Sequence, residues 1–191
     1  TAAGACQDQA VRQALAYGFD REAYIASYYK LDDKDAKLAY VPGLFGNPVS
    51  GGNGAYVRGE EKVDGATYYD YDVEKAKQIL DDAGWTVGSD GIREKDGQKL
   101  SIKFLATKEK DAMDTMIPML QKQWSELGVD FKANTMEFNT VISTVGDDSA
   151  VGDWDVSYLG YSFTSPEDTG VDYLIQSQGV NNFARLKDDE L

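Results

Sequence analysis

Between Gly152 and Asp168 the chain gathers carboxylates, aromatic rings and hydroxyls into one short stretch. Asp153 with Asp155, and Glu167 with Asp168, are pairs from which a carboxylate hydrolase or glycosidase could be built. One carboxyl would donate a proton while the other activates water or attacks directly. A plainer reading covers both pairs: acids on a solvated strand edge, and acids favoured by the positive end of a helix. The sequence contains no histidine. That removes Ser-His-Asp and Cys-His activation of a nucleophile, and the usual ligands of catalytic zinc. Cys6 is the single cysteine, so it forms no internal disulfide and reads as a structural or incidental thiol. The expectation is binding without covalent chemistry, and without a metal or cofactor.

The second half of the stretch suits binding. Gly160 removes the side chain where a backbone or ligand could approach closely. Tyr161, Ser162, Phe163 and Thr164 then present rings and hydroxyls in a row. In front of them, Trp154, Val156 and Tyr158 alternate with Asp155, Ser157 and Leu159, the period of two that marks a strand. In open α/β sheets ligands sit off the carboxyl ends of strands, so this strand end is either a binding edge or an ordinary loop. Pro166 stops the ladder, and Ser165 is placed to cap a helix through Tyr173 and Ile175.

Composition narrows the partners. The 191 residues carry 33 acids against 19 bases, a net charge of −14, opposite to what phosphate backbones attract, and nucleic acid is excluded as a partner. Acidic clusters such as Asp81-Asp82 and Asp188-Asp189-Glu190 read as solvated surface. The apolar runs are too short to span a membrane. Thr1–Cys6 lacks the basic start and apolar core of a signal peptide, so the protein is cytosolic or its targeting segment lies outside this sequence.

The elements that must position the stretch follow in order. Asp8 caps a helix with Val11, Ala14 and Leu15 on its inner face, ended by Gly18. Asp20 caps a second helix, Arg21 to about Tyr29, with Ala23, Tyr24 and Tyr28 inward. Asp32 to Tyr69 has few periodic signals and seven glycines; Tyr40–Phe45 within it reads either as a contact surface or as a loop on its own domain. From Tyr71 to Trp85 the spacing predicts a helix capped by Asp72, stopped by Gly84 and closed by Trp85 folding back. Asp90 to Leu100 reads as a hairpin turning at Asp96-Gly97.

Leu100, Ile102, Phe104 and Ala106 define a strand. Lys110 to Leu127 is a helix with Met113, Met116, Ile117, Leu120, Trp124 and Leu127 on one face, where Pro118 should bend it or delay its start. Val129, Phe131, Ala133 and Thr135 form the next strand. Strand, helix and strand make a βαβ unit with parallel strands. A short helix from Glu137 to about Val145 leads to the strand at Trp154. The fold class is α/β, one lobe over residues 1–191 with a mixed sheet and flanking helices. Asn181 to Leu191 reads as the lead into a further helix, and the chain as a piece of something longer.

Five stations carry a family resemblance. Ala10 to Glu22 (AVRQALAYGFDRE) and Tyr71 to Trp85 (YDVEKAKQILDDAGW) are the longest. Asp90-Gly91-Ile92-Arg93 with Asp96 to Leu100, then Leu127-Gly128-Val129, then Gly152-Asp153-Trp154-Asp155 complete them. In that order and spacing they resemble family 5 extracellular solute-binding proteins, the oligopeptide, dipeptide and nickel receptors of ABC importers. The resemblance implies a type II periplasmic-binding-protein-like lobe of an extracytoplasmic, periplasmic or lipid-anchored receptor. Such a receptor closes two lobes on a peptide-like solute and delivers it to a membrane ABC permease. It also implies that the other lobe lies outside this sequence and that Cys6 is not the lipid-modified cysteine. Receptors of the same fold for an oligosaccharide or metal chelate, or a sensor or adhesin, remain alternatives.

In peptide-binding members of the family a segment reading G-W-x-A-D-Y pairs with the peptide as an added strand, and its Asp holds the ligand's ammonium. Here that segment falls on Gly160, Tyr161, Ser162, Phe163 and Thr164. Thr164 stands where the Asp would be, and a neutral hydroxyl cannot make the charge-assisted bond. Glu167 or Asp168 is then the possible amine acceptor, or the ligand is not gripped by a free amino terminus.

Overall fold

The computed structural model describes residues 4–32, 61, 62, 64, 65, 67–160, 174 and 176–187. The chain forms two compact units. The first comprises Thr1–Asp20, Asp70–Leu159 and Phe183–Arg185; the second comprises Arg21–Tyr69, Gly160–Asn182 and Leu186–Leu191.

The first unit begins with helix α1, Gln9–Tyr17, capped as its sequence implies: Asp8 Oδ1 accepts from the Ala10 N–H at 2.9 Å. Val11, Ala14 and Leu15 are buried. Gly18 does end the helix, but its φ of −83° is not left-handed. A Cβ there would stand 2.5 Å from Leu127 Cδ1, so a larger residue would force the Leu127 side chain to move. Helix α3, Val73–Asp82, packs against α1 with Ala76 and Leu80 buried (α2, Arg21–Tyr29, belongs to the second unit). Asp72 caps it through a 2.9 Å bond from Lys75 N, and the Asp72 N–H ties it to Tyr17 O. Gly84 takes a left-handed φ of 83°, and the Trp85 N–H returns to Leu80 O at 2.9 Å, closing the helix as expected.

Among the described residues two three-stranded sheets follow. The antiparallel one joins β1 (Thr86–Val87), β2 (Arg93–Lys95) and β3 (Gln98–Lys99), with the β2–β3 hairpin turning at Asp96 and Gly97. Both turn residues have positive φ, 52° and 78°, which matches the twist of paired strands. The second sheet is parallel, in the order β5-β4-β6, where β4 is Ser101–Thr107, β5 is Asp130–Met136 and β6 is Val156–Ser157.

Helix α4, Asp111–Ser125, joins β4 to β5 and buries Met113, Met116, Leu120 and Trp124. It starts at Asp111 although Pro118 lies in its interior, so the proline does not delay it. Helix α5, Phe138–Gly146, joins β5 to β6. The two helices cover opposite faces. Trp124 meets Phe131 edge-on at 5.4 Å, and Phe131 lies beside Phe104 at 5.7 Å. Val141 and Val145 of α5 instead cluster with Leu105 and Trp154. Phe104 and Leu105 are neighbours on one strand and point to opposite sides. This is why β4 is buried at both positions while edge strand β5 leaves residues 132–135 exposed.

The strand expected from Trp154 is shorter than its alternation suggests. Pairing is confined to Val156 and Ser157, and Trp154 makes an isolated bridge with Val151 instead. Trp154 and Leu159 were expected on opposite faces, yet both pack into the cluster around Leu105. The period of two fails because Trp154 precedes the ladder and Leu159 follows it.

In the second unit, α2 runs over Arg21–Tyr29 as expected. Its tyrosine stripe is only half-buried, with Tyr24 and Tyr28 stacked at 5.9 Å. Arg21 donates to the Tyr69 carbonyl. Most of the irregular segment from Asp32 to Tyr69, and the helix expected through Tyr173 and Ile175, lie outside the described residues. Among the described residues no helix is long and apolar enough to cross a membrane.

Candidate functional site

Strand order locates the site. From β4 the chain moves to one side for β5, then crosses back to the other side for β6. The connecting helices lie on opposite faces, so the carboxyl ends of β4 and β6 flank a topological switch point. At such points open α/β sheets leave a crevice for ligand. Residues that follow the parallel strands therefore form the edge: Lys108 and Glu109 after β4, Glu137 and Phe138 after β5, Tyr158 after β6.

Backbone bonds fix this edge. Lys108 N–H donates to Met136 O at 2.8 Å, and Tyr158 N–H donates to Leu105 O at 3.3 Å. Glu109 holds a left-handed φ of 56°, a conformation that costs a non-glycine residue energy and concentrates at functional loops. Lys108 Nζ and Glu137 Oε1 pair at 2.8 Å with both side chains in solvent contact. That hydrogen bond, then the Glu137 and Glu109 charges, raise the Lys108 pKa above its ordinary value. Phe138 and Tyr158 are 52% and 42% exposed, two large rings left uncovered where the strands end.

Gly160 follows Leu159 and is exposed. A Cβ there would meet nothing within 4 Å among the described residues, so packing against them does not require a glycine. Tyr161, Ser162, Phe163, Thr164, Glu167 and Asp168 lie outside the described residues. Lys108, Glu137 and Phe138 were not singled out as site residues from sequence. The available signal was their position directly after the two strands of a βαβ unit.

The carboxylates considered for hydrolysis behave differently from one another. Asp155 is buried, and its Oδ2 accepts from the Lys103 N–H at 2.8 Å while its own N–H donates to Lys103 O. Asp153 is exposed. Asp155 thus closes the end of the β4–β6 ladder, so Asp153 and Asp155 do not form a matched acid–base pair. Cys6 is buried, and burial followed by the Asp155 charge pushes its thiol up to about 11. It stays protonated and unreactive at neutral pH. A groove of about 550 Å³ runs beside α5, lined by Lys103, Leu105, Asn134, Ser143, Asp147 and Asp153 among others.

The parallel sheet with helices on both faces is an α/β arrangement, and its likeness to the solved structures below gives the type II periplasmic-binding-protein fold. The family described as "Bacterial extracellular solute-binding proteins, family 5 Middle" matches residues 1–183, and the chain belongs to this family. The oligopeptide-binding protein OppA of Lactococcus lactis subsp. cremoris (strain SK11) is 29% identical over 189 residues, covering 97% of this chain and 29% of that protein. Lactococcal OppA complexed with an endogenous peptide in the closed conformation aligns with a TM-score of 0.70 at 26% identity, over 98% of this chain and 33% of that one. AppA from Bacillus subtilis in complex with a nonapeptide aligns with a TM-score of 0.72 at 23% identity, over 96% of this chain and 34% of that one. That last likeness concerns the fold alone. The chain thus spans about a third or less of the length of these proteins.

Proposed function

We propose that this chain is part of one lobe of an ABC-importer receptor for oligopeptides or peptide-like solutes. Ligand is captured by closure of two lobes and handed to a permease in the membrane, without covalent chemistry. The observation that carries this reading is the match of nearly the whole chain to a family whose similar members are named oligopeptide-binding proteins. The open carboxyl edge at a switch point supports it physically, because it offers exposed rings to an extended chain.

In this reading Gly160, Tyr161, Ser162, Phe163 and Thr164 face the ligand, and the bare backbone at Gly160 lets a peptide approach. The full-length receptor works outside the cytoplasm, in the periplasm or lipid-anchored at the membrane's outer face. Native mass spectrometry of the full-length protein is the test. A retained set of masses matching short peptides is expected. A protein that retains nothing and binds no member of a broad peptide and sugar set contradicts the proposal.

A further inference from the structure

We propose that the free edge of β5 pairs antiparallel with the same edge of a second copy, joining two parallel sheets into one. Among the described residues β5 is hydrogen-bonded on one side only, to β4. The register between them is unbroken from Asp130 to Met136, and neither a proline nor a bulge blunts the strand. Such an edge is a template for another strand unless something covers it. Here Lys132, Ala133, Asn134 and Thr135 are exposed.

The ladder shows which backbone groups face outward. The Asp130 N–H donates to Leu100 O, and Met136 O accepts from the Lys108 N–H. Bonding alternates along a parallel pair, so Asp130, Lys132, Asn134 and Met136 turn their N–H and C=O toward β4. Phe131, Ala133 and Thr135 turn theirs to the free side. A two-fold axis at Ala133 sets each Phe131 opposite the second copy's Thr135, and Ala133 opposite its own counterpart. All of these are then hydrogen-bonded pairs, giving about six bonds between copies. Centring on Phe131 would instead call on Val129, whose N–H is held by Trp124 O. Centring on Thr135 would call on Glu137, which lies beyond the strand.

Charge and size fit the register at Ala133. Lys132 falls opposite the second copy's Asn134, and Asp130 opposite its Met136, so no like charges meet directly across the pair. Asn134 lines the groove of about 550 Å³ that also carries Asp147 and Asp153. The Lys132 ammonium, bonded to Asp130 at 2.7 Å, remains largely in solvent. Pairing brings it beside the acidic groove of the other copy, once in each direction. At the axis, the alanine side chain is small enough to meet itself.

Sedimentation velocity of the full-length receptor tests the pairing, up to roughly millimolar concentration because a one-strand interface is small. A reversible dimer is expected. Ala133→Pro removes an N–H that β4 does not use, so the strand persists while the pair between copies loses bonds. It should weaken dimerisation roughly tenfold or more. Should that variant fail to fold, cysteines decide. Hydrogen-bonded partners lie about 5.5 Å apart at Cα, within disulfide reach. In a glutathione redox buffer Ala133→Cys should link two copies, whereas Asn134→Cys should link only when mixed with Lys132→Cys. A receptor that stays monomeric throughout overturns the proposal, its β5 edge being covered within one polypeptide. So does a dimer whose affinity survives Ala133→Pro unchanged, or equal linking by Ala133→Cys and Asn134→Cys alone.

Discussion

The two sheets of the first unit use charge in opposite ways. In the antiparallel sheet Arg93 turns inward and helps hold the fold, while Glu94 and Lys99 stay exposed. Arg93 is buried; its Nε donates to Leu127 O at 2.8 Å, and its guanidinium also meets Trp85 O and Asp81. Asp8 joins the same region, accepting from Trp85 Nε1 at 3.0 Å and from Lys95 Nζ at 2.9 Å while capping α1. In the parallel sheet apolar groups fill both faces of β4, and Lys108, Glu137, Phe138 and Tyr158 stand exposed beyond the strand ends. The first arrangement cannot be altered without loss of structure. The second leaves exposed side chains beyond the strand ends, open to a ligand.

If that contrast is right, substitutions should separate into those that unfold and those that only weaken binding. The largest effect belongs to Arg93→Met, which strands two buried carbonyls and should cost about 2–5 kcal/mol. Urea unfolding measures it, and peptide affinity of the folded fraction should not change.

Asp8→Ala comes next, at about 1–2 kcal/mol for the lost cap and its partners. It also predicts a pH effect. Burial works to raise the Asp8 carboxyl, but hydrogen bonds from Lys95, Trp85 and Ala10, with the Lys95 charge, outweigh it and hold the pKa below its ordinary 3.8. A lowered folded pKa gives stability that is complete above the unfolded value and lost as pH falls through the folded one. The unaltered protein should therefore lose stability below about pH 4, and Asp8→Asn should show a shallower decline there. Acid titration of the unfolding midpoint checks both.

Gly160→Ala sits at the other extreme. Its backbone is not left-handed and a Cβ meets nothing within 4 Å among the described residues, so stability should move by no more than about 0.5 kcal/mol. A fall in peptide affinity without a change in midpoint would place a ligand backbone against residue 160. Unchanged affinity would remove that residue from the edge.

How much of this was legible in the sequence differs between the same two regions. Caps and stops are local chemistry, so Asp8, Asp72, Gly84 and the Asp96-Gly97 turn could be read directly. The βαβ unit followed from the spacing of its apolar residues. Arg93 was visible only as a letter in a station, because its burial depends on three carbonyl or carboxylate partners brought together from distant segments. The switch point was equally hidden: whether β6 adds beside β5 or beside β4 is decided by packing of α5 on Leu105, and periodicity does not report strand order. Trp154 misled for a related reason, being apolar and even-numbered with Val156 but lying before the ladder.

The central claim is that the carboxyl edge of the parallel sheet meets the ligand. Replacing Phe138 and Tyr158 together by alanine in the full-length receptor tests it most directly. Both rings are exposed, so the unfolding midpoint should hold within about 1 kcal/mol for the pair. Titration with an oligopeptide should show affinity reduced roughly tenfold or more, since each ring offers a large apolar surface to a bound chain. Unchanged affinity in a folded double variant would contradict the account.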